Sequence, residues 1–205
     1  MMGLLVIAGM ASALIPQDVH NIANNTLPTV SLIMPTNSRP EYVRQAIDMI
    51  ARQDYPRHLI KELIIVDDSP VALQATDVMS LTWPRIVYTN LQERRSVGRM
   101  RNIAALRATG DVIAHWDDDD IYGPGRLRAQ VAPIAHGEAD VTLLSHRWTY
   151  FVGDQSLYEA TSAASWGPHF GTLVYRRKLF ARGVRYPDTS EAEDYGWAQH
   201  AVEAA

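Results

Sequence analysis

The sequence contains no cysteine, which excludes disulfides, thiolate metal sites and thiol catalysis. No run of apolar residues reaches the ~18 that a membrane-spanning helix requires. Neither of the glycine-rich phosphate-binding patterns, G-x-x-x-x-G-K-S/T and G-x-G-x-x-G, occurs in the chain. A diphosphate could still be held by a metal ion on carboxylates, with arginines nearby.

The charge balance is acidic, with 19 Lys and Arg against 23 Asp and Glu and a net charge of −4. Because contacts with phosphate backbones need clustered Lys and Arg, this balance predicts that nucleic acid is not a partner. Apolar residues make up 47% of the 205 residues. That content suits one globular domain of α/β type with a substantial core.

Residues 1–28 read as an N-terminal apolar segment and linker, and residues 29–205 as the main domain. The stretch 3–15 is apolar and ends near a possible signal-peptidase site, but it lacks the basic residues of a signal peptide. The alternatives are a helix that is amphipathic or packs on the core, and an interaction surface. Such a surface would contact a second copy of the chain, a partner or, peripherally, the inner face of the membrane. We predict a cytoplasmic protein.

From residue 29 onward, apolar β-branched runs alternate with stretches of helical periodicity. Strands are predicted at 29–34, 63–66, 85–88, 111–116, 141–144 and 172–175, with a hairpin over 148–158. Helices are predicted from Pro40 and at 72–81, 97–108, 124–135 and 191–204. This alternation predicts a mostly parallel central sheet flanked by helices, with ligands bound beyond the carboxyl ends of the strands.

Four consecutive aspartates, Asp117 to Asp120, follow the apolar run 112–116. Adjacent carboxylates repel one another, so a fold gains nothing from such a cluster at the end of a buried strand. A divalent cation explains the run because Mg²⁺ and Mn²⁺ prefer hard oxygen ligands, whereas a solvated acidic turn is the alternative. Pro35-Thr36 and Asp67-Asp68 end two other predicted strands, so all three segments are expected at one edge of the sheet.

Two further segments carry groups suited to chemistry at that edge. Gly98, Arg101 and Asn102 open a helix, whose N-terminus favours anions, so Arg101 is a candidate phosphate ligand or part of a solvated basic face. Glu193-Asp194 offers a carboxylate that could deprotonate a hydroxyl, although acidic residues at helix starts are common for other reasons.

Taken in chain order, these segments resemble the family 2 glycosyltransferases, which are nucleotide-sugar-dependent enzymes with the GT-A fold. Ser31 to Thr36 with Arg39 is similar to the family's opening strand and nucleotide loop, and Ile64 to Ser69 to its second strand. Gly98 with Arg101-Asn102 resembles the G-x-x-R-N helix start. Asp117 to Asp120 resembles the D-x-D metal motif, and Glu193-Asp194 the E-D motif.

The resemblance implies a GT-A domain with a Rossmann-like nucleotide-sugar-binding half at 29–122 and a smaller acceptor-side half at 123–205. It implies an inverting transfer from a nucleoside-diphosphate donor, expected to be a UDP-sugar, to a saccharide, lipid or other hydroxyl acceptor. Asp119, with Asp117, would bind Mn²⁺ or Mg²⁺, and Asp194 would be the catalytic base. Asp120 would be structural. The implied donor-binding residues are Pro35, Thr36, Arg39, Asp67, Asp68, Gly98, Arg101, Asn102, Asp117 and Asp118.

Two other functions remain open at this point. A sugar nucleotidyltransferase would usually need a glycine-rich N-terminal loop, which residues 35–39 lack. A non-catalytic nucleotide-binding remnant is also conceivable, because the chain continues only a short way past Asp194 and the acceptor half is expected to be truncated. Candidate acceptor contacts, or ordinary core residues, are Trp166, His169, Phe170 and Trp197.

Overall fold

The computed structural model describes residues 4–6, 11–13, 27–74, 83, 85–151, 153, 155–161 and 169–203. The predicted helix over 72–81 lies outside these residues except for 72–74, and Trp166 lies outside them altogether. No helix in the described part of the chain is long and apolar enough to cross a membrane.

The strands and helices follow the predicted alternation, with most boundaries within two residues of expectation. The strands are β1 (Leu4–Val6), β2 (Ala11–Ala13), β3 (Val30–Thr36), β4 (Ile60–Asp67), β5 (Ile86–Asn90), β6 (Val112–His115), β7 (Val141–Leu144), β8 (His146–Phe151), β9 (Ser156–Thr161) and β10 (His169–Arg176). The helices are α1 (Pro40–Ala51), α2 (Val97–Arg107), α3 (Arg126–Ala135), α4 (Arg177–Ala181) and α5 (Glu193–Glu203), with a 3₁₀ turn at Arg57–Leu59.

The central sheet has eight strands in the order β2-β1-β7-β10-β6-β3-β4-β5, and β8 and β9 form the predicted hairpin. Strands β6, β3, β4 and β5 run parallel, whereas β10 is antiparallel to both β6 and β7. The sheet is therefore mixed, and the predicted parallel pairing is confined to the 29–122 half. A strand buried on both faces is apolar throughout in either direction, so its sequence does not reveal its orientation.

The N-terminal segment corrects another expectation. Residues 4–6 and 11–13 are strands, not a helix: β1 pairs with β2 and with β7, where Leu4 lies opposite Leu144. An unpaired β7 edge would expose backbone donors and acceptors, and pairing with β1 satisfies them. These residues therefore extend the sheet of the main domain.

The two faces of the sheet bury two separate apolar clusters, as alternation along β3 requires. Leu32 and Met34 face one cluster, which α1 and α3 complete, and Ile33 faces the other, which α2 and α5 complete. Helices thus cover both faces, as predicted. Because β3 and β4 are parallel with Thr36 opposite Asp67, the ends of these strands reach the same edge of the sheet.

Candidate active site

The aspartate run begins beyond the end of β6, and its four side chains have different surroundings. Asp117 contacts Arg101, and Asp118 accepts a hydrogen bond of 2.6 Å from the Thr36 hydroxyl. Asp119 pairs with Arg39 and is 51% exposed at its side chain. The run is therefore four distinct carboxylates rather than one uniform acidic surface.

Asp120 is held by protein groups on two sides. The Tyr122 hydroxyl donates to it at 2.6 Å, and His169 Nε2 lies 3.5 Å from the same carboxylate. Burial acts to raise the pKa of Asp120, but these two partners outweigh it and lower the pKa. The Asp120 carboxylate is thus engaged by protein groups, and its structural role stays a prediction.

Asp118 is the buried acid of the run, and Asp117 is partly buried, with 22% of its side chain exposed. Burial raises the pKa of Asp117, although Arg101 acts to lower it, and burial likewise raises the pKa of Asp118 against Thr36 and Arg39. Asp117 Oδ1 is buried and makes no hydrogen bond, although Arg101 Nη1 lies 3.1 Å away. A buried carboxylate oxygen without a hydrogen bond is a suitable point for a cation, which would reverse this pKa pattern.

The nucleotide loop predicted after β3 lies against the aspartate run. Arg39 Nη1 is 3.3 Å from Asp118 and also contacts Asp119, so one arginine spans two of the four acids. Ser38 in this loop has a φ of 52°, a left-handed conformation that non-glycine residues seldom adopt. Its backbone N–H donates to the Ser69 hydroxyl at 2.6 Å, which fixes the loop to the end of β4.

Asp67 and Asp68 have different surroundings. The Asp67 carboxylate accepts hydrogen bonds from Tyr88 at 2.7 Å and from the Ser69 backbone at 2.9 Å, so it braces the turn after β4. Asp68 accepts from the Asn37 side chain at 2.7 Å and from the Arg95 backbone N–H at 2.9 Å. Asp68 therefore joins the nucleotide loop to the segment that precedes α2.

The G-x-x-R-N helix start is engaged by the segment that leads to α5. Asn102 makes two hydrogen bonds with the Tyr186 backbone, at 2.8 and 3.0 Å, and the Gly98 N–H donates to the Thr189 carbonyl at 2.9 Å. Arg101 is only 3% exposed, and its guanidinium is bonded to protein side chains. The donor contact predicted for Arg101 stays a prediction, and in the protein its guanidinium bonds to Glu193 and Asp117.

At Gly98 the backbone of α2 approaches the backbone of Pro187 too closely to leave room for a side chain. A Cβ added there would overlap the Pro187 carbonyl oxygen and lie 3.2 Å from Glu193 Cβ. We expect Gly98→Ala to lower the free energy of unfolding by about 3 kcal/mol, the upper part of the range for overpacked sites. Gly123→Ala is the matched control, since nothing lies within 4 Å of its added Cβ. Urea unfolding of both variants measures the difference in stability. Equal urea midpoints would show that a Cβ at position 98 does not clash with the Pro187 carbonyl oxygen.

The E-D motif forms the first turn of α5. Glu193 is buried and bonded to Arg101, whereas Asp194 is partly exposed and accepts a 2.7 Å hydrogen bond from the Tyr195 backbone N–H. Asp194 thus places a partly exposed carboxylate at a helix N-terminus, where negative charge is favoured.

The predicted acceptor aromatics divide into core and surface. Trp197 is fully buried, and the centroid of its ring lies 4.1 Å from that of Tyr175. Trp197 therefore belongs to the core. Phe170 is partly buried and meets Tyr195, which is 46% exposed, edge to face at 5.1 Å. Sequence reasoning missed Tyr195, although its position next to Asp194 was an available signal.

Arg126 was also missed, because a basic residue near a helix start normally implies a surface position. It is fully buried, with its guanidinium 3.6 Å from the Tyr122 ring and 4.8 Å from the Trp116 ring. Its Nη2 donates to the His115 carbonyl at 2.7 Å. Arg126 therefore anchors both ends of the aspartate run on α3.

Among the described residues no group of three or more Asp, Glu and His side chains is arranged to hold a metal ion. The candidates for a cation are consequently the hydrogen-bond-free oxygen of Asp117 and the half-exposed carboxylate of Asp119. Both are hard oxygen donors of the type that Mg²⁺ and Mn²⁺ prefer.

Solved structures define the fold class. A Pyrobaculum calidifontis mannosyltransferase, PcManGT, in complex with GDP-Man and Mn²⁺ matches 85% of this chain and 52% of its own, with a TM-score of 0.62 and 19% identity. Staphylococcus aureus TarS 1–349 in complex with UDP-GlcNAc matches 85% of this chain and 53% of its own, with a TM-score of 0.63 and 20% identity. The protein has the GT-A fold.

The family follows from the sequence. The family model described as "Glycosyl transferase family 2" matches residues 31–188. The Escherichia coli (strain K12) glycosyl transferase WcaA, named for colanic acid biosynthesis, is 32% identical over 158 residues, which cover 75% of this chain and 52% of WcaA. The chain belongs to glycosyltransferase family 2, and it spans about half the length of these relatives.

Proposed function

We propose that the protein is a metal-dependent inverting glycosyltransferase that moves a sugar from a UDP-sugar to a hydroxyl acceptor. One observation carries this function: Arg101 bonds both to Asp117 of the D-x-D motif and to Glu193 of the E-D motif. Donor-binding acids and a candidate base, 77 positions apart between Asp117 and Asp194, thereby share one edge of the sheet. That arrangement is required for displacement at a sugar carbon.

The donor contacts in this proposal come from the loops after β3, β4 and β6. Thr36 and Asp68 hold the nucleoside, with Pro35 and Arg39 shaping the loop, and Asp117 and Asp118 face the rest of the donor. Asp67, Gly98, Arg101 and Asn102 stay in the proposed donor site as residues that act through their neighbours. Their polar groups are already bonded within the protein.

Mn²⁺ or Mg²⁺ would be held by Asp119 and Asp117, with its remaining ligands supplied by the diphosphate and water, as is usual for such ions at phosphate groups. When bound, the ion offsets negative charge that develops on the departing diphosphate. PcManGT with GDP-Man and Mn²⁺ supports the metal, and TarS with UDP-GlcNAc supports the class of donor.

Asp194 is the base in this proposal. Its partly exposed carboxylate accepts the proton from the attacking hydroxyl while that oxygen bonds to the anomeric carbon and the nucleoside diphosphate leaves from the opposite face. A single displacement of this kind inverts the anomeric centre. Phe170 and Tyr195 lie on the Asp194 side, where a saccharide acceptor could stack on an aromatic face. The cytoplasmic location stays a prediction.

The donor site is tested by thermal unfolding with UDP or GDP, each with and without Mn²⁺. We expect UDP with Mn²⁺ to stabilise the native state by about 2.7 kcal/mol at 100 times its Kd, because the ligand binds only the folded protein. UDP without Mn²⁺ should stabilise it much less. Equal stabilisation without metal, or none with either nucleotide, would contradict the metal-dependent donor site.

The competing functions give different products. A nucleotidyltransferase would release pyrophosphate from a nucleoside triphosphate and a sugar phosphate. A non-catalytic remnant would bind UDP with Mn²⁺ yet release none from a UDP-sugar. Measuring UDP and pyrophosphate release in parallel separates these outcomes from glycosyl transfer or donor hydrolysis.

A further inference from the structure

We infer that Arg101 is a positioning residue that fixes the catalytic base, acting through Glu193, rather than a ligand of the donor phosphates. This inference rests on the proposed function, since it takes Asp194 as the base. In this view, the G-x-x-R-N helix start holds the segment 186–193 against α2. Three sets of contacts support it.

The first set is the guanidinium itself. Arg101 Nε donates to Glu193 Oε1 at 3.1 Å, Nη2 donates to Asp117 Oδ2 at 3.1 Å, and Nη1 lies 3.0 Å from His115 Nδ1. Arg101 and Glu193 are 3% and 5% exposed, so this pair is shielded from water. The planar fork of arginine suits two carboxylates in fixed directions, which a lysine cannot reproduce.

The second set concerns the residue before the motif. Ala192 has a φ of 54°, in the left-handed region that side chains disfavour. Such a conformation persists only where the surrounding structure imposes it. The Glu193 bond to Arg101 directly follows this residue, and Gly196 N–H donates back to the Ala192 carbonyl at 2.9 Å. Without Arg101, the turn that presents Asp194 would lose its buried anchor.

The third set links Arg101 through His115 to Tyr186, in the segment before α5, and from there back to α2. Because arginine only donates, His115 Nδ1 must accept from Arg101, and His115 Nε2 must carry the hydrogen that it donates to the Tyr186 hydroxyl at 2.6 Å. The Tyr186 backbone in turn makes two hydrogen bonds with Asn102, the residue after Arg101. Helix α2 and residue 186 are thus joined by both backbone and side-chain contacts.

The inference separates two roles that sequence alone could not distinguish. A phosphate ligand loses donor affinity when it is replaced, whereas a positioning residue loses turnover with the donor still bound. Glu193→Gln tests the base side without touching Asp117, because it keeps the shape of Glu193 and removes its charge. Arg101→Lys keeps the positive charge and removes the fork. Arg107→Gln, an exposed change at the other end of α2, is the control.

The experiment measures UDP affinity with Mn²⁺ by calorimetry, UDP release from UDP-GlcNAc and UDP-glucose, and amide hydrogen exchange. We expect Glu193→Gln and Arg101→Lys to lower kcat by about 100-fold, the effect of misplacing a catalytic group by about 1 Å. In Glu193→Gln we expect the Kd for UDP to change by less than about threefold, since Asp117 and the nucleoside contacts are untouched. Amides of 193–197 should exchange about tenfold faster, because the turn opens locally. Arg107→Gln should match wild type in every measurement.

Two results would overturn the inference. One is a Kd weakened tenfold or more at unchanged kcat in Arg101→Lys, which would make Arg101 a donor ligand. The other is wild-type exchange and kcat in Glu193→Gln. Exchange requires no nucleotide, so a wild-type protein that binds no UDP would contradict the proposed function, while the exchange comparison would still decide whether Arg101 holds the turn.

Discussion

Asp194→Asn is expected to lower kcat by about 10²- to 10⁴-fold, the usual contribution of general acid–base catalysis. The reason is that the amide cannot accept the proton that the attacking hydroxyl must lose. Asp194 caps the Tyr195 N–H at 2.7 Å through Oδ1, and the amide oxygen of asparagine can accept the same hydrogen bond. The fold and the donor site should therefore be unchanged.

The measurement is UDP release from the UDP-sugar that gives the largest thermal stabilisation, with UDP affinity determined on the same sample. Glu191→Gln is the matched control because it removes an exposed carboxylate three residues earlier. Full turnover in Asp194→Asn would show that another group is the base. Loss of UDP affinity together with turnover would instead place Asp194 in the donor site.

Asp119→Asn is expected to weaken Mn²⁺-dependent UDP binding by at least about 100-fold, because even residues that only support metal ligands contribute 10- to 100-fold. The Asp119 side chain is 51% exposed and pairs with Arg39, so the substitution should leave the fold intact. Turnover should fall in parallel, since the donor is no longer held in place.

Asp120→Asn is the matched control within the same run. Its carboxylate is engaged by Tyr122 and His169. We therefore expect Asp120→Asn to change the free energy of unfolding, while UDP binding still requires Mn²⁺. A titration of UDP binding against Mn²⁺ concentration compares the two variants. An unchanged Mn²⁺ requirement in Asp119→Asn, or its loss in Asp120→Asn, would exchange the roles assigned to these two residues.

Much of the fold could be predicted because each strand and helix carries its own periodic pattern. Helix α2 and strand β6 were placed within two residues by such patterns. Strand direction could not be predicted, since β10 is buried on both faces whichever way it runs. The strands at 4–6 and 11–13 were missed because they depend on tertiary pairing. The first pairs with the β7 edge and the second pairs with the first, and neither partner is visible in so short a run.

The site could be predicted in location but not in detail. The rule that ligands bind beyond the carboxyl ends of parallel strands correctly brought Thr36, Asp68 and Asp118 together. It could not reveal that Arg101 is buried, because its partner Glu193 lies 92 positions away in the chain. From sequence alone, a charged residue at a helix start such as Arg101 is expected to be exposed to solvent. Only the tertiary contact with Glu193 shows that it is buried.

The central claim is that one edge of the sheet binds a nucleotide sugar through a metal and activates an acceptor through a separate base. The most direct test is to measure the Kd for UDP with Mn²⁺ and the rate of UDP release together in wild type, Asp119→Asn and Asp194→Asn. The account expects Asp119→Asn to lose binding and Asp194→Asn to lose turnover with binding retained. Metal-independent UDP binding in wild type, or full turnover in Asp194→Asn, would contradict it.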